Sequence, residues 1–194
     1  MKVNEIFYSL QGEGYHTGTA AVFLRLSGCN LQCPFCDTKH ESGTEMSESQ
    51  IIEQVKRYPC RLVVVTGGEP SLQLTDTLVE ALHGIGRQVA VETNGTHPLP
   101  CGVDWITLSP KDLFLGDEAA VVLQHVDEIK VVFDGEHEPS SYSGIEISHS
   151  RFLQPCDTGD TRRNDEIVRQ TIAYIKEHPE WRLSLQTHKL LQIP

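Results

Sequence analysis

Three cysteines fall within eight residues, in Cys29-Asn30-Leu31-Gln32-Cys33-Pro34-Phe35-Cys36, a C-x3-C-x2-C spacing. Three thiolates on one short loop can ligate three irons of a 4Fe-4S cube. The fourth iron is then left open to the amino and carboxylate groups of another molecule. A second chemistry fits the same loop, a zinc ion held by these cysteines and His40, because zinc accepts such ligands at short spacings. The loop alone leaves both open.

Further along, Thr66-Gly67-Gly68-Glu69-Pro70 comes directly off the apolar run Leu62–Val65. Two glycines at the C-terminal end of a strand let a ligand approach the backbone closely. Glu69 behind them offers an acceptor to a cationic amine. In Ala21-Val22-Phe23-Leu24-Arg25-Leu26, strand alternation puts Phe23, Arg25 and Ser27 on one face and Val22, Leu24 and Leu26 on the other. If the aliphatic face packs under helices, Arg25 points into a lumen, where an arginine needs an anionic partner. Either a ligand carboxylate or a protein carboxylate suits its planar fork.

These groups need elements to position them. Strands are predicted at Val3–Tyr8, Ala21–Leu26, Leu62–Thr66, Val89–Glu92, Trp105–Leu108, Ile129–Phe133, Phe152–Gln154 and Leu183–Gln186. Helices are predicted at Ser47–Arg57, opened by the capping-box pattern Ser47-Glu48-Ser49-Gln50, at Leu74–His83, and at Asp165–Glu177 with Asn164 as N-cap. In that last helix Ile167, Val168, Ile172 and Ile175 have helical spacing and read as core. Between Val89–Glu92 and Trp105–Leu108 only a Gly/Pro-rich crossover from Asn94 to Gly102 is expected. Strand-helix alternation implies an α/β chain with a largely parallel sheet. A complete eight-fold barrel needs roughly 250 residues, so 194 residues imply a truncated, partly open (β/α) barrel. No linker or repeat divides the chain, and one domain over 1–194 is expected.

Hydrophobic residues make up 39% and charged residues 22%, an ordinary globular balance. The formal net charge of −11 argues against a nucleic-acid or anionic-membrane surface. No apolar run is long enough to span a bilayer, and Met1–Ile6 lacks the apolar stretch of a signal peptide. A cytoplasmic location is the default expectation. Cys60, Cys101 and Cys156 lie apart from the trio and read as buried small apolar residues.

C-x3-C-x2-C followed at this separation by a Gly-Gly-Glu-Pro turn resembles the signature of the radical S-adenosylmethionine (SAM) superfamily. Three further segments resemble the 7-carboxy-7-deazaguanine synthase family: Leu10-Gln11-Gly12-Glu13-Gly14, Arg25 in its strand, and the C-terminal run Leu185-Gln186-Thr187-His188-Lys189-Leu190-Leu191-Gln192-Ile193-Pro194. The matches spread over essentially the whole chain.

The resemblance implies a barrel of the radical SAM type with a 4Fe-4S cluster on Cys29, Cys33 and Cys36. SAM would be contacted by Phe35, Cys36 and Asp37, by Gly68, by Ser109-Pro110-Lys111 and by Gln154-Pro155-Cys156-Asp157. Thr38 would bind a magnesium ion. Leu10, Gln11, Gly12, Glu13, Arg25, Thr66, His188 and Pro194 would contact the substrate, with the chain end folded back into the site. The substrate implied is 6-carboxy-5,6,7,8-tetrahydropterin. A SAM-derived radical would abstract hydrogen from its C6, and ring contraction with loss of ammonia would give 7-carboxy-7-deazaguanine for queuosine biosynthesis, SAM being regenerated. An electron donor such as flavodoxin or ferredoxin and a homodimer are implied as well. Glu92-Thr93-Asn94-Gly95 resembles a motif common in the superfamily and receives no role. A glycyl-radical activating enzyme shares the cysteine spacing and the glycine turn but leaves the Leu10–Gly14 segment and the terminal Gln-Ile-Pro unexplained. A zinc-stapled binding domain is the alternative of another class.

Overall fold

The computed structural model describes residues 1–194. Nine strands form one sheet: β1 (Lys2–Leu10), β2 (Ala20–Leu26), β3 (Thr44–Glu45), β4 (Leu62–Gly67), β5 (Gln88–Thr93), β6 (Trp105–Leu108), β7 (His125–Phe133), β8 (Glu146–Pro155) and β9 (Trp181–Leu183). Their order is β3-β1-β2-β4-β5-β6-β7-β8-β9. Every pairing from β2 to β9 is parallel, and β1 alone joins antiparallel to β2 and β3. The two edges do not meet, so the sheet is an unclosed barrel.

Parallel strands covered by helices bury both faces, and the two faces here carry different chemistry. Val22, Leu24 and Leu26 of β2, Val63 and Val65 of β4, and Val89 and Val91 of β5 point outward. They pack against Ile51, Ile52 and Val55 of α1 (Glu48–Val55) and Leu78, Val79 and Leu82 of α2 (Asp76–Gly84). Each such side chain taken from water contributes roughly 1.5–3 kcal/mol. Helix α1 starts at the expected capping box: Ser47 accepts from the Gln50 amide, and the Gln50 side chain accepts from the Ser47 amide. On the opposite flank Ile167 of α4 (Thr161–Glu177) covers Ile129, Val131, Leu153 and Trp181. The crossover from β5 to β6 contains no helix, as its Gly/Pro content predicts.

Several boundaries differ from the sequence reading. Helix α4 begins four residues earlier than expected, capped by Asp160, whose Oδ1 accepts from the amides of Arg162 and Arg163 at 2.8 and 3.1 Å. Asn164 lies inside the helix and binds Thr158 and Asp157 through its side chain. Ile172 is 39% exposed, so the buried stripe runs through Thr171, whose hydroxyl donates back to the Ile167 carbonyl at 2.7 Å. Strands β7 and β8 extend back through polar residues that hid them. The last strand ends at Leu183, and Thr187–Leu191 forms a short helix, α5. Cys60 and Cys156 are buried as expected, but Cys101 is exposed.

Leu24 is fully buried beneath both helices. Leu24→Ala should lower the unfolding free energy by about 2–5 kcal/mol, read as a lower urea midpoint at unchanged slope.

Candidate functional site

The C-terminal ends of the parallel strands share one rim, the face on which such folds carry their sites. Strand β2 leads into the cysteine loop, β4 into Gly67-Gly68, β5 into Asn94, β6 into Ser109 and β8 into Cys156. Together they enclose a cavity of about 660 Å³. Cys29 and Cys33, half-buried, and the exposed Cys36 line one wall as free thiols. Burial pushes the Cys29 and Cys33 thiols up from their ordinary value, so a positive centre is what would hold them as thiolates. The donor set fits an iron-sulfur cluster, with three thiols on one loop facing a space large enough for a second ligand. Gly68 stands against the cluster loop, and a Cβ there would run into the Gly28 carbonyl.

A buried latch holds that loop in place. Glu69 is 1% exposed and its carboxylate accepts from the Thr93 hydroxyl at 2.6 Å, the Asn94 amide at 2.7 Å and the Ser71 amide at 3.0 Å. With those lone pairs engaged inside the protein and the side chain away from the cavity, Glu69 is a structural tie. The expectation that it would receive a ligand's amine is corrected. Asn94 extends the tie by donating through Nδ2 to Asn30 Oδ1, inside the cysteine loop, at 3.1 Å. The Glu92–Gly95 motif thereby fastens the glycine turn to the cluster loop.

The segment between β1 and β2 crosses the lumen and floors the cavity. Gly14 donates its amide to Ser184 Oγ at 3.0 Å, and Tyr15 donates to Glu128 Oε2 at 2.9 Å. Gly14 sits at φ +65°, where a Cβ would strike the Glu128 carboxylate. On the floor, Glu13 and Glu92 both pair with the ammonium of Lys130, the latter at 3.2 Å. Gln11 donates to the other Glu92 oxygen at 2.8 Å. Burial alone would push the Glu13 carboxyl up, but the Lys130 charge and its hydrogen bond bring it down to about 2. Burial works against the Lys130 charge too, and the two carboxylates hold its pKa well above the ordinary lysine value.

The chain end returns over the opening. Thr187 at the start of α5 donates its amide and hydroxyl to the Gly12 carbonyl at 3.1 and 2.8 Å. Lys189 bridges Asp37 beside the cluster loop, at 3.0 Å, and Asp157 after β8, at 2.7 Å. The Asp157 carboxyl is held down to about 2, chiefly by the Lys189 hydrogen bond. Ser9 donates to the Pro194 carbonyl oxygen at 2.7 Å. Arg25 faces the cavity, where its Nε donates to Glu5 Oε1 at 2.8 Å. That partner is half-exposed, and such a pair is weak enough to yield to a ligand carboxylate.

The structure brings nearly all of the sequence-predicted residues together. Leu10, Gln11, Gly12, Glu13, Arg25, Thr66, His188 and Pro194 line the cavity, as do Phe35, Asp37, Thr38, Gly68, Ser109 and Lys111, and Gln154, Pro155, Cys156 and Asp157. Pro110 does not, being buried behind the rim. Loss of water around Lys111 brings its ammonium down to about 8. Sequence reasoning missed Glu92, Lys130, Gln186 and Lys189. Lys130 carried a readable signal: it interrupts the apolar stretch Ile129–Phe133, and a charge inside a sheet needs a partner.

A family model described as the Radical SAM superfamily matches residues 24–114. A protein of Bacteroides thetaiotaomicron named 7-carboxy-7-deazaguanine synthase is 52% identical, over 99% of this chain and 98% of its own length. Proteins of the same name from Caulobacter vibrioides and Nitratidesulfovibrio vulgaris are each 42% identical, the first over 99% of this chain and 98% of its own length, the second over 100% and 99%. A crystal structure of QueE from Escherichia coli superposes with a TM-score of 0.70 at 28% identity, over 95% of this chain and 92% of that one.

Changing Cys29, Cys33 or Cys36 to alanine should each abolish iron retention after anaerobic reconstitution, whereas Cys60→Ala, Cys101→Ala, Cys156→Ala and His40→Ala should keep it. Iron and sulfide assays read the outcome. Full retention in Cys33→Ala, or equal loss in Cys60→Ala, would refute the assignment.

Proposed function

The chain belongs to the 7-carboxy-7-deazaguanine synthases of the radical SAM superfamily, and we propose that its rim cavity binds the reduced pterin between the cysteine loop and the returning chain end. The activity is that of a radical SAM lyase of deazapurine biosynthesis, in which 6-carboxy-5,6,7,8-tetrahydropterin loses ammonia to become 7-carboxy-7-deazaguanine. When bound, the 4Fe-4S cluster and SAM supply the radical hydrogen abstraction. The protein's share is to hold the reactive carbon in register and to exclude water.

The observation that carries this reading is the convergence of Arg25, Pro194 and the cysteine loop on one cavity, although they lie far apart in sequence. Cys29, Cys33 and Cys36 would hold the cluster, and Phe35, Asp37, Gly68, Ser109, Lys111 and the Gln154–Asp157 segment would seat SAM. Arg25 would exchange Glu5 for the carboxylate of the substrate. The Pro194 oxygen that accepts from Ser9 would take the donor edge of the pterin ring. A cation for the anion and an acceptor for the donors fix the ring in a single sense. Thr38 would carry magnesium: its hydroxyl faces the cavity and makes only a 3.5 Å contact, to Asp37 Oδ1, which leaves oxygen lone pairs for an ion that keeps most of its shell from water or substrate. The reductant would be a small electron-transfer protein such as flavodoxin or ferredoxin, the assembly a homodimer and the location cytoplasmic. No helix is long and apolar enough to cross a membrane.

The reconstituted enzyme, given SAM, magnesium, a reductant and the pterin, should form 7-carboxy-7-deazaguanine with one ammonia per product. No product under those conditions would refute the reading. Deleting Ile193 and Pro194 removes that acceptor. Leaving a buried donor unpaired costs roughly 1–3 kcal/mol, so this change should weaken pterin binding about five- to a hundred-fold while sparing iron content and SAM affinity. Thr38→Ala should blunt the magnesium response of turnover and leave SAM binding intact. An unchanged response would remove the ion from Thr38.

A further inference from the structure

On the floor of the cavity Lys130 stands at the centre of a carboxylate cluster that no packing argument requires. It is 4% exposed, on the inward face of β7. Its ammonium pairs with Glu13 from the loop after β1 and with Glu92 from β5. The other charged groups acting on it are Glu128, two residues earlier on the same face of β7, and Lys111 beyond β6. Strand β8 contributes the neutral Gln154, and the segment after β9 contributes the neutral Gln186, whose amide donates to Glu13 Oε1 at 3.1 Å, and the titratable His188, whose ring stands against Gly12 beside Glu13. Three carboxylates are thus gathered around one central cation, with Glu13 and Glu92 opening onto the cavity and Glu128 turned to the backbone of the floor loop.

Two carboxylates so close could not both stay ionised without a cation between them, because burial and mutual repulsion each favour the protonated form. A protonated carboxyl loses acceptor capacity, and its added O–H is a donor. A substrate presenting ring and exocyclic N–H groups needs acceptors in fixed positions. We propose that Lys130 is a positioning residue of this enzyme, holding Glu13 and Glu92 ionised and aimed so that the cavity floor presents a fixed pair of acceptors to the N–H groups of the pterin. The assignment of the pterin rests on the family reading above. The state of the carboxylates does not, and the two are tested separately. The depressed Glu13 pKa, about 2, agrees with this geometry and means that Glu13 keeps its charge through the neutral range.

The test uses the reconstituted full-length enzyme with Lys130→Met, which keeps the length and removes the charge, Lys130→Arg, and the double variant Lys130→Met/Glu13→Gln. Infrared difference spectra taken from about pH 5 to about pH 7, below the Lys111 pKa of about 8, should show an added protonated-carboxyl band in Lys130→Met. That band should be absent from wild type and Lys130→Arg and should vanish in the double variant. KM for the pterin should rise about ten-fold or more in Lys130→Met and fall again as pH rises, because the raised carboxyl then ionises. Wild type and Lys130→Arg should be flat over the same range, and the double variant should lose the slope. Iron content and SAM affinity serve as the folding control, and the double variant, which has no surplus charge, stays informative if Lys130→Met folds poorly. A Lys130→Met enzyme with no new carboxyl band, or with the wild-type KM and a flat pH profile, would overturn the proposal. Wild-type enzyme that fails to turn over the pterin would refute the substrate reading alone, since the infrared comparison still decides the role of Lys130.

Discussion

The ammonium of Lys130, buried with Glu13 and Glu92, joins parts of the chain that no strand pairing joins. Glu13 belongs to a loop leaving the antiparallel strand β1, Glu92 to the middle of the parallel sheet, and Lys130 to the far side. Because the barrel is unclosed, its lumen would otherwise be an open trough. The ion cluster pulls the Gln11–Tyr15 segment across that trough and makes it a floor. Each charge on its own would be costly at that depth, and together, with Gln11 and Gln186 donating to the remaining oxygens, they are satisfied. Beneath the floor the Tyr15 ring stacks on Trp105, with centroids 4.8 Å apart, so the loop is held from both sides.

Above the floor, the cavity depends on loops that the sheet places but does not immobilise. Glu69 and Asn94 tie the glycine turn and the cysteine loop to the end of β5, and Lys189 ties the returning chain end to Asp37 and Asp157. The two ties differ in strength for a physical reason. Glu69 is buried and accepts from three neutral donors in a water-free setting, so its geometry is fixed. Lys189 and its partners are exposed, and such pairs are worth roughly 0–1 kcal/mol and are screened by salt. The cysteine loop is therefore fixed more firmly by Glu69 than the returning chain end is by Lys189.

Much of this was legible in the sequence. The inward and outward faces of β2 followed from alternation, and Arg25 faces the lumen as the pattern required. Cys29, Cys33, Cys36 and Gly68 were readable because their types and spacing constrain the chemistry directly. Asp160 was missed as a cap because Asn164 offered an equally good local signal, and only the tertiary position of α4 chooses between them. Glu69 was misread because its acceptors are consumed by Thr93 and Asn94, residues more than twenty positions away. The start of β7 was lost because His125, Asp127 and Glu128 break the apolar pattern there: His125 is exposed, and Asp127 and Glu128 accept from the amides of Ile106 and Tyr15. Lys130 lies within the part of β7 that was read; its isolation among aliphatic residues marked it as paired, but nothing local named Glu13 and Glu92 as its partners.

The central claim is that one cavity, walled by the cysteine loop, floored by the Gln11–Tyr15 segment and roofed by the chain end, holds the reduced pterin. An anaerobic crystal structure of the reconstituted enzyme with SAM and 6-carboxy-5,6,7,8-tetrahydropterin tests it most directly. The account predicts the pterin carboxylate on Arg25, displaced from Glu5, the ring's N–H edge at Pro194, and the ring resting over Glu13 and Glu92. A pterin bound outside this cavity, or bound within it while Arg25 keeps Glu5 and the chain end stays remote from the ring, would contradict it.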